Sequence, residues 1–141
     1  MHKGSCICGK VKIEVTGNLK NLHACHCTIC RKGSGHIGAG TDIARENLKI
    51  MGVENITWYN SSDWARRGFC KHCGSNLFFD PIDKVKITWT GVSMGAFDGE
   101  TKVKIEEHIF VKDKGDYYEL SGDLPKNTVY PGHKDNKVIQ V

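Results

Sequence analysis

Seven cysteines, gathered into three tight groups, constrain this chain more than any other feature of its sequence. An odd number of cysteines cannot be paired completely in disulfides. Tight clusters of cysteine in a cytosolic protein more often bind metal or carry out redox chemistry. Metal binding is therefore the first hypothesis. The three groups are Cys6 with Cys8, Cys25 with Cys27 and Cys30, and Cys70 with Cys73.

Length and hydropathy set the class of protein. A chain of 141 residues is most simply one domain that buries its own hydrophobic core. The first ten residues, MHKGSCICGK, lack the apolar segment of a signal peptide. No apolar run approaches the roughly 20 residues that a membrane helix needs. We therefore expect a cytoplasmic protein without a membrane partner.

The net charge of +4 does not by itself predict a nucleic-acid partner. Cysteines that bind metal are thiolates, so seven of them around two zinc ions would reduce the net charge to +1. A nucleic-acid-binding protein would be expected to cluster its lysines on one face and to bind with steep salt dependence. The lysines of this chain are spread along its length. We expect no nucleic-acid partner, and the sequence predicts no particular oligomeric state.

Short alternating segments predict a mainly β fold. KVKIEV at 10–15, KVKITW at 84–89 and KVKIEE at 102–107 alternate apolar and charged residues, which is typical of half-buried strands with lysine facing solvent. No segment keeps a helical apolar period over about 11 residues, although 41–50 could hold one helical turn. Further strands are predicted at 36–42, 55–60, 76–80 and 107–111, and one more at 137–141.

The segment FCKHCGSNLFF resembles a zinc knuckle. Cys70 and Cys73 lie three positions apart on a tight turn, so both sulfurs can face one ion. Gly74 follows and relieves the backbone strain of the turn. A closed tetrahedral site needs two further ligands, which the chain must supply from elsewhere.

The pair Cys6 and Cys8 can complete this knuckle. In a strand, residues i and i+2 face the same side, so both thiols would point at one ion. The resulting four-cysteine site would close a loop of about sixty residues and strongly restrict the unfolded chain. We interpret it as structural. Cys25 or Cys27 could serve instead, and the spacing leaves that choice open.

The segment CHCTIC leaves a second metal site one ligand short. Cys25 and Cys27 would share a face if the chain is extended there, and Cys30 would return on the turn that begins at Thr28. Three thiolates can hold one zinc ion and leave its fourth position open, which distinguishes catalytic zinc sites from structural ones. Water or a substrate thiol could fill the open position.

Other interpretations of these three cysteines remain open. A histidine could close the site, and His36 is a better candidate than His26, which would point away from its neighbours in a strand. The three could also be reduced spectators or a disulfide plus a free thiol. Each alternative predicts that no accessible metal is held there.

An ion held by three thiolates is suited to soft ligands. Its formal charge is −1, so it is a weaker Lewis acid than zinc bound to three neutral histidines and is poorly suited to making hydroxide. A substrate thiol would bind there as a thiolate and become nucleophilic at neutral pH. Arg31 and Lys32 place positive charge beside Cys30, or are ordinary solvated residues. No nucleophile elbow, phosphate loop or dinucleotide fingerprint is present.

Four motifs together resemble one known family. GSCICGKV, CHCTICRKGSG, RGFCKHCGSNLFF and EHIFVKDKGDYYELSGDLP occur in an order and spacing similar to those of the glutathione-dependent formaldehyde-activating enzymes. This family is also called the S-(hydroxymethyl)glutathione synthases, and it includes relatives of centromere protein V. The resemblance runs from about Gly4 to Pro125. We therefore predict a domain at 1–125 and a peripheral tail at 126–141.

The resemblance implies a fold, two metal sites and a reaction. The fold would be the zinc-containing β-tent that the Rab-accessory zinc proteins share. The reaction would be that of a carbon–sulfur lyase, joining glutathione and formaldehyde as S-(hydroxymethyl)glutathione, with a small thiol as partner. Apart from the resemblance, we take His36 as a candidate acid for this step. The alternative is a non-catalytic zinc module that binds a protein. The implied structural zinc ligands are Cys6, Cys8, Cys70 and Cys73, and the implied catalytic zinc ligands are Cys25, Cys27 and Cys30.

Overall fold

The computed structural model describes residues 1–139, and it is mainly β, as predicted, with two sheets and one short α-helix among these residues. The chain divides into two units. Unit 1 comprises Met1–Lys20 and Gly40–Val103, and unit 2 comprises Asn21–Ala39 and Lys104–Val141. The elements are β1 (His2–Ser5), β2 (Lys12–Val15), β3 (His23–Cys25), α1 (Thr28–Ser34), β4 (Gly38–Ala44), β5 (Leu48–Met51), β6 (Ile56–Asn60), β7 (Ala65–Cys70), β8 (Asn76–Pro81), β9 (Trp89–Ser93) and β10 (Glu107–Ile109).

Unit 1 contains a three-stranded antiparallel sheet in the order β1-β2-β5. The alternation expected at 10–15 is present in β2, where Ile13 and Val15 are buried and Lys12 is exposed. The two buried side chains belong to the hydrophobic core of the unit. The period-two pattern therefore placed this strand correctly, although it begins two residues later than expected.

In unit 1, residues 40–44 of β4 pair with β9, and β8, β7 and β6 follow in that order, all antiparallel. Leu77, Phe78 and Val92 are almost completely buried in the core that this sheet covers. The register between β7 and β8 shifts at Gly68, which packs directly on the Trp58 ring. A side chain at Gly68 would not fit, because an added Cβ would lie 2.7 Å from a carbon of that ring.

A buried carboxylate joins three cations in unit 1. Asp80 is paired with Arg45 at 3.1 Å, Arg66 at 2.8 Å and Lys84 at 2.5 Å. Its Oδ1 also accepts a hydrogen bond from the Thr90 hydroxyl. Burial by itself would raise the pKa of Asp80, but the bonds from Lys84, Arg66 and Arg45 outweigh burial and lower this pKa to about 2. The carboxylate therefore stabilises the folded chain wherever it is ionised.

Two of the predicted lysine-rich strands were wrong. The segment 84–89 begins in a turn, because the side chain of Asp83 accepts hydrogen bonds from the amides of Val85 and Lys86, and only Trp89 enters β9. In the segment 102–107, Lys102 has a left-handed φ of 60°, and only Glu107 lies in a strand. Side-chain bonds to the backbone and local backbone conformation overrode the alternating pattern in both places.

Other strand predictions were close. The strands expected at 36–42, 55–60 and 76–80 are present as β4, β6 and β8. The one expected at 107–111 is shortened to β10, because Phe110 has a left-handed φ of 55°. The helical turn expected within 41–50 is a 3-10 turn at Arg45–Asn47. The sequence patterns did not predict β1, β3, β5 and β7, and they did not predict most of β9.

Unit 2 is built around β3 and β10, which pair in parallel with Cys25 opposite Ile109. The segment after Pro125 continues this framework: the amide of Asn127 donates to the His108 carbonyl at 2.9 Å, and Lys126 is buried. Val138 forms a bridge with Asn127. Of the strand predicted at 137–141, residues 140 and 141 lie outside the described residues. The domain boundary after residue 125 stays a prediction.

No helix within residues 1–139 combines the length and the apolar character needed to cross a membrane.

Candidate metal centres

Four cysteines of unit 1 form one cluster, which we call the four-cysteine cluster: Cys6, Cys8, Cys70 and Cys73. Their sulfur atoms all lie within 4.8 Å of one another. The sulfur of Cys8 lies 3.6 Å from that of Cys6 and 3.7 Å from that of Cys70. Zinc with four Zn–S bonds of about 2.3 Å in a tetrahedron places its sulfurs about 3.8 Å apart. The observed spacings therefore fit a closed zinc site.

Two similar turns bring these sulfurs together. The sequence predicted a strand for Cys6 and Cys8, and this was wrong. Both residues lie in the turn that follows β1. This turn closes with the amide of Gly9 donating to the Cys6 carbonyl, and the turn after β7 closes with the amide of Gly74 donating to the Cys70 carbonyl. Both glycines have φ of 76°, which other residues rarely adopt. The sulfurs of each pair converge because the backbone turns, and not because side chains alternate along a strand.

Ser75 ties the two turns to each other. Its hydroxyl accepts a hydrogen bond from the amide of Ile7 at 2.9 Å and lies 3.3 Å from the Cys73 sulfur. The Ser75 hydroxyl is the largest contribution that lowers the pKa of Cys73, to about 5, followed by the amides of Ser75 and Cys8. Cys73 is thus disposed to be a thiolate at neutral pH, the form that binds metal.

Three cysteines of unit 2 form the three-cysteine cluster: Cys25, Cys27 and Cys30. Their sulfur atoms also lie within 4.8 Å of one another. Cys25 ends β3, and Cys27 is the N-cap of α1, where its sulfur accepts a hydrogen bond from the Cys30 amide at 3.2 Å. The turn expected at Thr28 is thus the first turn of a helix. This arrangement is compact because a strand end, a cap and a helical turn follow one another within six residues.

Gly38 at the start of β4 lies directly against this cluster. A Cβ added at Gly38 would be 3.1 Å from both Cβ and Sγ of Cys30, and 3.9 Å from the Cys25 carbonyl oxygen. The φ of Gly38 is not positive, so the backbone conformation does not require glycine. What requires glycine is the close approach of the Cys30 thiol.

The three thiols change one another's ionisation. Hydrogen bonds from Cys25 and then Cys30 lower the pKa of Cys27, to about 2, and amide hydrogen bonds from Cys30 and Ile29 lower it further. Hydrogen bonds to Cys27 and Cys30, and then burial, raise the pKa of Cys25. Negative charge in this cluster therefore settles first on Cys27, at the cap of the helix. A divalent cation would offset the repulsion that opposes ionisation of all three.

Neither histidine that the sequence offered belongs to the cluster. His26 is buried and both its ring nitrogens are hydrogen-bonded, Nδ1 to the Tyr118 hydroxyl at 2.5 Å and Nε2 to Nδ1 of His108 at 2.9 Å. His36 is exposed, and its Nδ1 lies 2.6 Å from the Tyr117 hydroxyl. Within residues 1–139 no histidine, aspartate or glutamate joins the three sulfurs as a further ligand. The described cluster therefore offers three protein ligands.

His26, which lies between Cys25 and Cys27, belongs to a group of contacting histidine and tyrosine side chains that spacing in the sequence did not predict. The Tyr118 ring stacks on His26 and packs edge-on against His36 at 4.6 Å between ring centres. Burial, and then the charges of His108, His36 and Lys114, lower the pKa of His26 to about 4. Burial also lowers the pKa of His108. This chain of hydrogen bonds is therefore uncharged at neutral pH. The only sequence signal was the adjacent pair of tyrosines at 117–118.

Arg31, directly after Cys30, carries a donor that nothing described in the structure satisfies. Its Nε is buried and has no hydrogen-bond partner within residues 1–139. No carboxylate of these residues forms an ion pair with its guanidinium. Burial, and then the charge of Tyr117, raise the pKa of Tyr118, whereas the charge of Arg31 acts to lower it and that of Cys25 to raise it. Tyr118 is therefore close enough to Arg31 and to Cys25 for their charges to affect its pKa.

Comparison with known proteins places these sites in a family context. The family described as glutathione-dependent formaldehyde-activating enzyme matches residues 1–113, which contain all seven cysteines. The matched segment therefore includes both cysteine clusters and Arg31.

Individual relatives are distant but match most of the chain. An uncharacterized lyase of Schizosaccharomyces pombe is 24% identical over 128 residues, which cover 91% of each chain. A protein of Halomonas elongata that carries the provisional name glutathione-dependent formaldehyde-activating enzyme is 25% identical and covers 98% of this chain and 92% of its own. A crystal structure of a Rhodobacter sphaeroides protein superposes with a TM-score of 0.57 at 28% identity, covering 71% of this chain and 91% of that one.

Proposed function

This chain belongs to the glutathione-dependent formaldehyde-activating enzyme family, and we propose that it is a zinc-dependent carbon–sulfur lyase acting on the adduct of a small thiol and a carbonyl compound. The single observation that carries the proposal is the three-cysteine cluster, in which three sulfurs converge without a fourth protein ligand in the described residues. The names of the two relatives support the class of reaction, one as a lyase and one as a formaldehyde-activating enzyme. Glutathione and formaldehyde are the proposed substrates.

The two clusters would hold zinc for different purposes. In the four-cysteine cluster all four ligand positions are protein sulfurs, and two of them, Cys6 and Cys70, are buried, so the ion would be structural. In the three-cysteine cluster Cys27 and Cys30 are only half-buried, and the fourth position would be left to a small molecule. When bound there, zinc would supply an open position and lower the pKa of an incoming thiol.

The proposed reaction balances without any further reactant. The thiolate sulfur adds to the carbonyl carbon, a carbon–sulfur bond forms, and the carbonyl π-bond becomes an alkoxide. The proton that left the thiol then returns to this oxygen, giving the S-hydroxymethyl product. His36 is the candidate proton carrier, because it is exposed and its ring is held by the Tyr117 hydroxyl at 2.6 Å. His26 is unsuited to that role, since both its ring nitrogens are already bonded.

Two broader assignments belong to the same proposal. The β-tent fold is supported by the family membership and by the two cysteine clusters in a mainly β chain. A cytoplasmic location suits seven cysteines that form no disulfide, since thiols stay reduced in that compartment. The proposed partner is a small thiol, and neither a nucleic acid nor a membrane is needed for the activity.

Native mass spectrometry with glutathione titration tests the proposal. The wild-type chain is expected to carry two zinc ions and to add one glutathione to the two-zinc species. Cys27→Ser should carry one zinc ion, bind no glutathione and lose the activity measured as formation of S-(hydroxymethyl)glutathione. Because this variant leaves the four-cysteine cluster intact, it should keep its fold, as shown by circular dichroism.

One result would contradict the proposal. If the wild-type chain holds a single zinc ion and shows no glutathione adduct at millimolar concentration, the three-cysteine cluster is not a thiol site. That outcome would favour the alternative function, a non-catalytic zinc module that binds a protein partner.

A further inference from the structure

We propose that a cavity in unit 1 binds a small carboxylate that has an apolar body and carries no thiol. The cavity has a volume of about 260 Å³, and we call it the Trp58 cavity. Its walls combine three apolar side chains with three cationic ones: Leu48, Ile50 and Trp58, and Arg45, Arg66 and Lys84. The inference goes beyond the proposed function and does not depend on it, because the three-cysteine cluster belongs to unit 2 and lends the cavity no residue.

The charges of the walls favour an anion. Among the described residues that line the cavity, Asp80 is the only carboxylate, and it pairs with all three cations. Three positive charges and one negative charge leave a formal charge of +2. Within residues 1–139 the three cations form no ion pair with any other carboxylate. A cleft lined by an excess of one sign of charge concentrates ions of the opposite sign.

Arg66 has donors that Asp80 leaves unused and that solvent can reach. Only its Nε bonds to the carboxylate, at 2.8 Å from Oδ2, and within residues 1–139 Nη1 and Nη2 have no hydrogen-bond partner. These two atoms are not buried, because the one buried side-chain donor without a partner in the described chain belongs to another arginine. The Arg66 side chain is 37% exposed. A guanidinium presents such donors in a planar fork that matches two carboxylate oxygens.

Lys84 adds a further donor to the same cavity. Its ammonium bonds to Asp80 at 2.5 Å and to the Pro81 carbonyl at 2.6 Å, which occupies two of its three N–H groups. The side chain is 43% exposed, so the remaining N–H is open to an incoming oxygen. A bound carboxylate would therefore meet the fork of Arg66 and the point charge of Lys84.

The guanidinium of Arg66 is held in position before any ligand arrives. Its central carbon lies 4.0 Å from the centre of the Trp58 ring, and the bond from Nε to Asp80 fixes its direction. Trp58 is itself held by Phe78, which stacks on it at 5.9 Å between ring centres, and by the close approach of Gly68. A group that is already ordered loses little conformational entropy on binding. This arrangement distinguishes Arg66 from a flexible surface arginine.

The apolar walls specify the body of the ligand. Leu48 and Ile50 lie two positions apart in β5, so they face the same side of the strand, and both are half-buried against the core. An apolar group placed against them would be removed from water, which an inorganic anion cannot provide. The volume of about 260 Å³ is below that of most cavities for drug-sized ligands. The ligand class is therefore a carboxylate with one aromatic ring or a short aliphatic chain.

A purely structural role of the three cations must be separated from ligand binding. They stabilise the ionised Asp80 whether or not anything enters the cavity. The structural role alone predicts that substitutions of these cations lower stability and that no carboxylate binds in a saturable manner. Ligand binding predicts saturation, together with a requirement for both the charged head and the apolar body.

Methyl NMR titration of the zinc-loaded full chain distinguishes these roles. The probes are benzoate, acetate, which lacks the ring, and benzyl alcohol, which lacks the charge. The reporters are the methyl groups of Leu48 and Ile50, and the exposed Ile29 of unit 2 is the reference.

Two substitutions of Arg66 and two single controls complete the experiment. Arg66→Lys keeps the charge but loses the fork, and Arg66→Gln loses both. Lys84→Gln removes an exposed cation of the cavity, so it tests the proposal even where the Arg66 variants fold poorly. Lys49→Gln is the matched control, because Lys49 is 68% exposed and does not line the cavity. Circular dichroism establishes that each titrated variant is folded.

We expect benzoate to shift the Leu48 and Ile50 methyl signals with a dissociation constant of about 1 mM, and Ile29 not to respond. Acetate and benzyl alcohol should each bind about tenfold more weakly or less. The Arg66 variants should bind benzoate about tenfold more weakly, Lys84→Gln about threefold, and Lys49→Gln within about twofold of the wild type.

Three results would overturn the proposal. These are no saturation by benzoate up to about 20 mM, binding of benzyl alcohol as tight as that of benzoate, and unchanged benzoate binding in both Arg66→Gln and Lys84→Gln. Because the probes contain no thiol, each of these results leaves the proposed function of the three-cysteine cluster as it was.

Discussion

Replacing Gly38 by alanine tests the geometry of the three-cysteine cluster directly. The added Cβ would lie 3.1 Å from the Cys30 sulfur, whereas ordinary contacts of this kind lie at 3.4–4 Å. The sulfur must therefore move by about 0.3 Å or more, which exceeds the ±0.2 Å within which metal–ligand distances are normally held. Changes next to metal ligands typically cost 10–100-fold in affinity. We expect Gly38→Ala to lose zinc affinity by about that factor, at this cluster alone.

Competition between the protein and a chromophoric zinc chelator measures this loss. The two clusters release zinc separately in such a titration, so the four-cysteine cluster serves as an internal reference that Gly38→Ala should not affect. Gly33→Ala is the matched control, because an added Cβ at Gly33 has nothing within 4 Å and neither glycine has a positive φ. Alanine should stabilise α1 slightly at that position.

One result would refute the reasoning. If Gly38→Ala and Gly33→Ala bind two zinc ions with affinities within twofold of each other, Cys30 is not held against Gly38 when metal is bound. A loss of zinc from the four-cysteine cluster in Gly38→Ala would refute it equally, since the substitution would then act through general unfolding.

Three further predictions concern unit 1. Asp80→Asn should lower the free energy of unfolding of the zinc-loaded protein, measured in urea at pH 7, by about 2 kcal/mol. A pKa lowered from 3.8 to about 2 corresponds to that energy. The control is the exposed Asp83→Asn, which should change the free energy of unfolding by less than about 0.5 kcal/mol. Since the pKa of Asp80 is lowered on folding, its contribution to stability is complete above about pH 5 and is lost as the pH falls through its unfolded and then its folded pKa. If the difference in stability between the wild type and Asp80→Asn grew on acidification, this reasoning would be wrong. Gly68→Ala should lower the free energy of unfolding by about 1–3 kcal/mol, because the new methyl group would contact the Trp58 ring, and an unchanged melting temperature would show that the sheet adjusts freely. Cys70→Ala should lose the metal ion of the four-cysteine cluster, and the variant protein should no longer unfold cooperatively. Two bound ions in its native mass spectrum would contradict the structural role of that ion.

The local patterns of the sequence determined the parts of the fold that depend on neighbouring residues. Alternation predicted β2, because side chains of a strand point to opposite faces in turn whatever the rest of the chain does, and the sequence also placed β6 and β8 within a residue of their ends. The spacing from Cys70 to Cys73 predicted a knuckle, because this too is a relation between near neighbours: both sulfurs lie on one turn. Where a local bond competes, as at Asp83, the pattern alone misled.

Tertiary structure decided which distant groups meet. Cys8 and Cys70 are 62 positions apart, and their sulfurs meet because two turns converge, a relation that no local period encodes. His26 bonds to Tyr118 at a separation of 92 positions, a pairing that the sequence did not predict. The unused donor of Arg31 is likewise visible only in the folded chain, because whether a buried N–H is satisfied depends on everything packed around it. The sequence by itself thus determined that thiols would cluster, and the path of the chain determined what surrounds them.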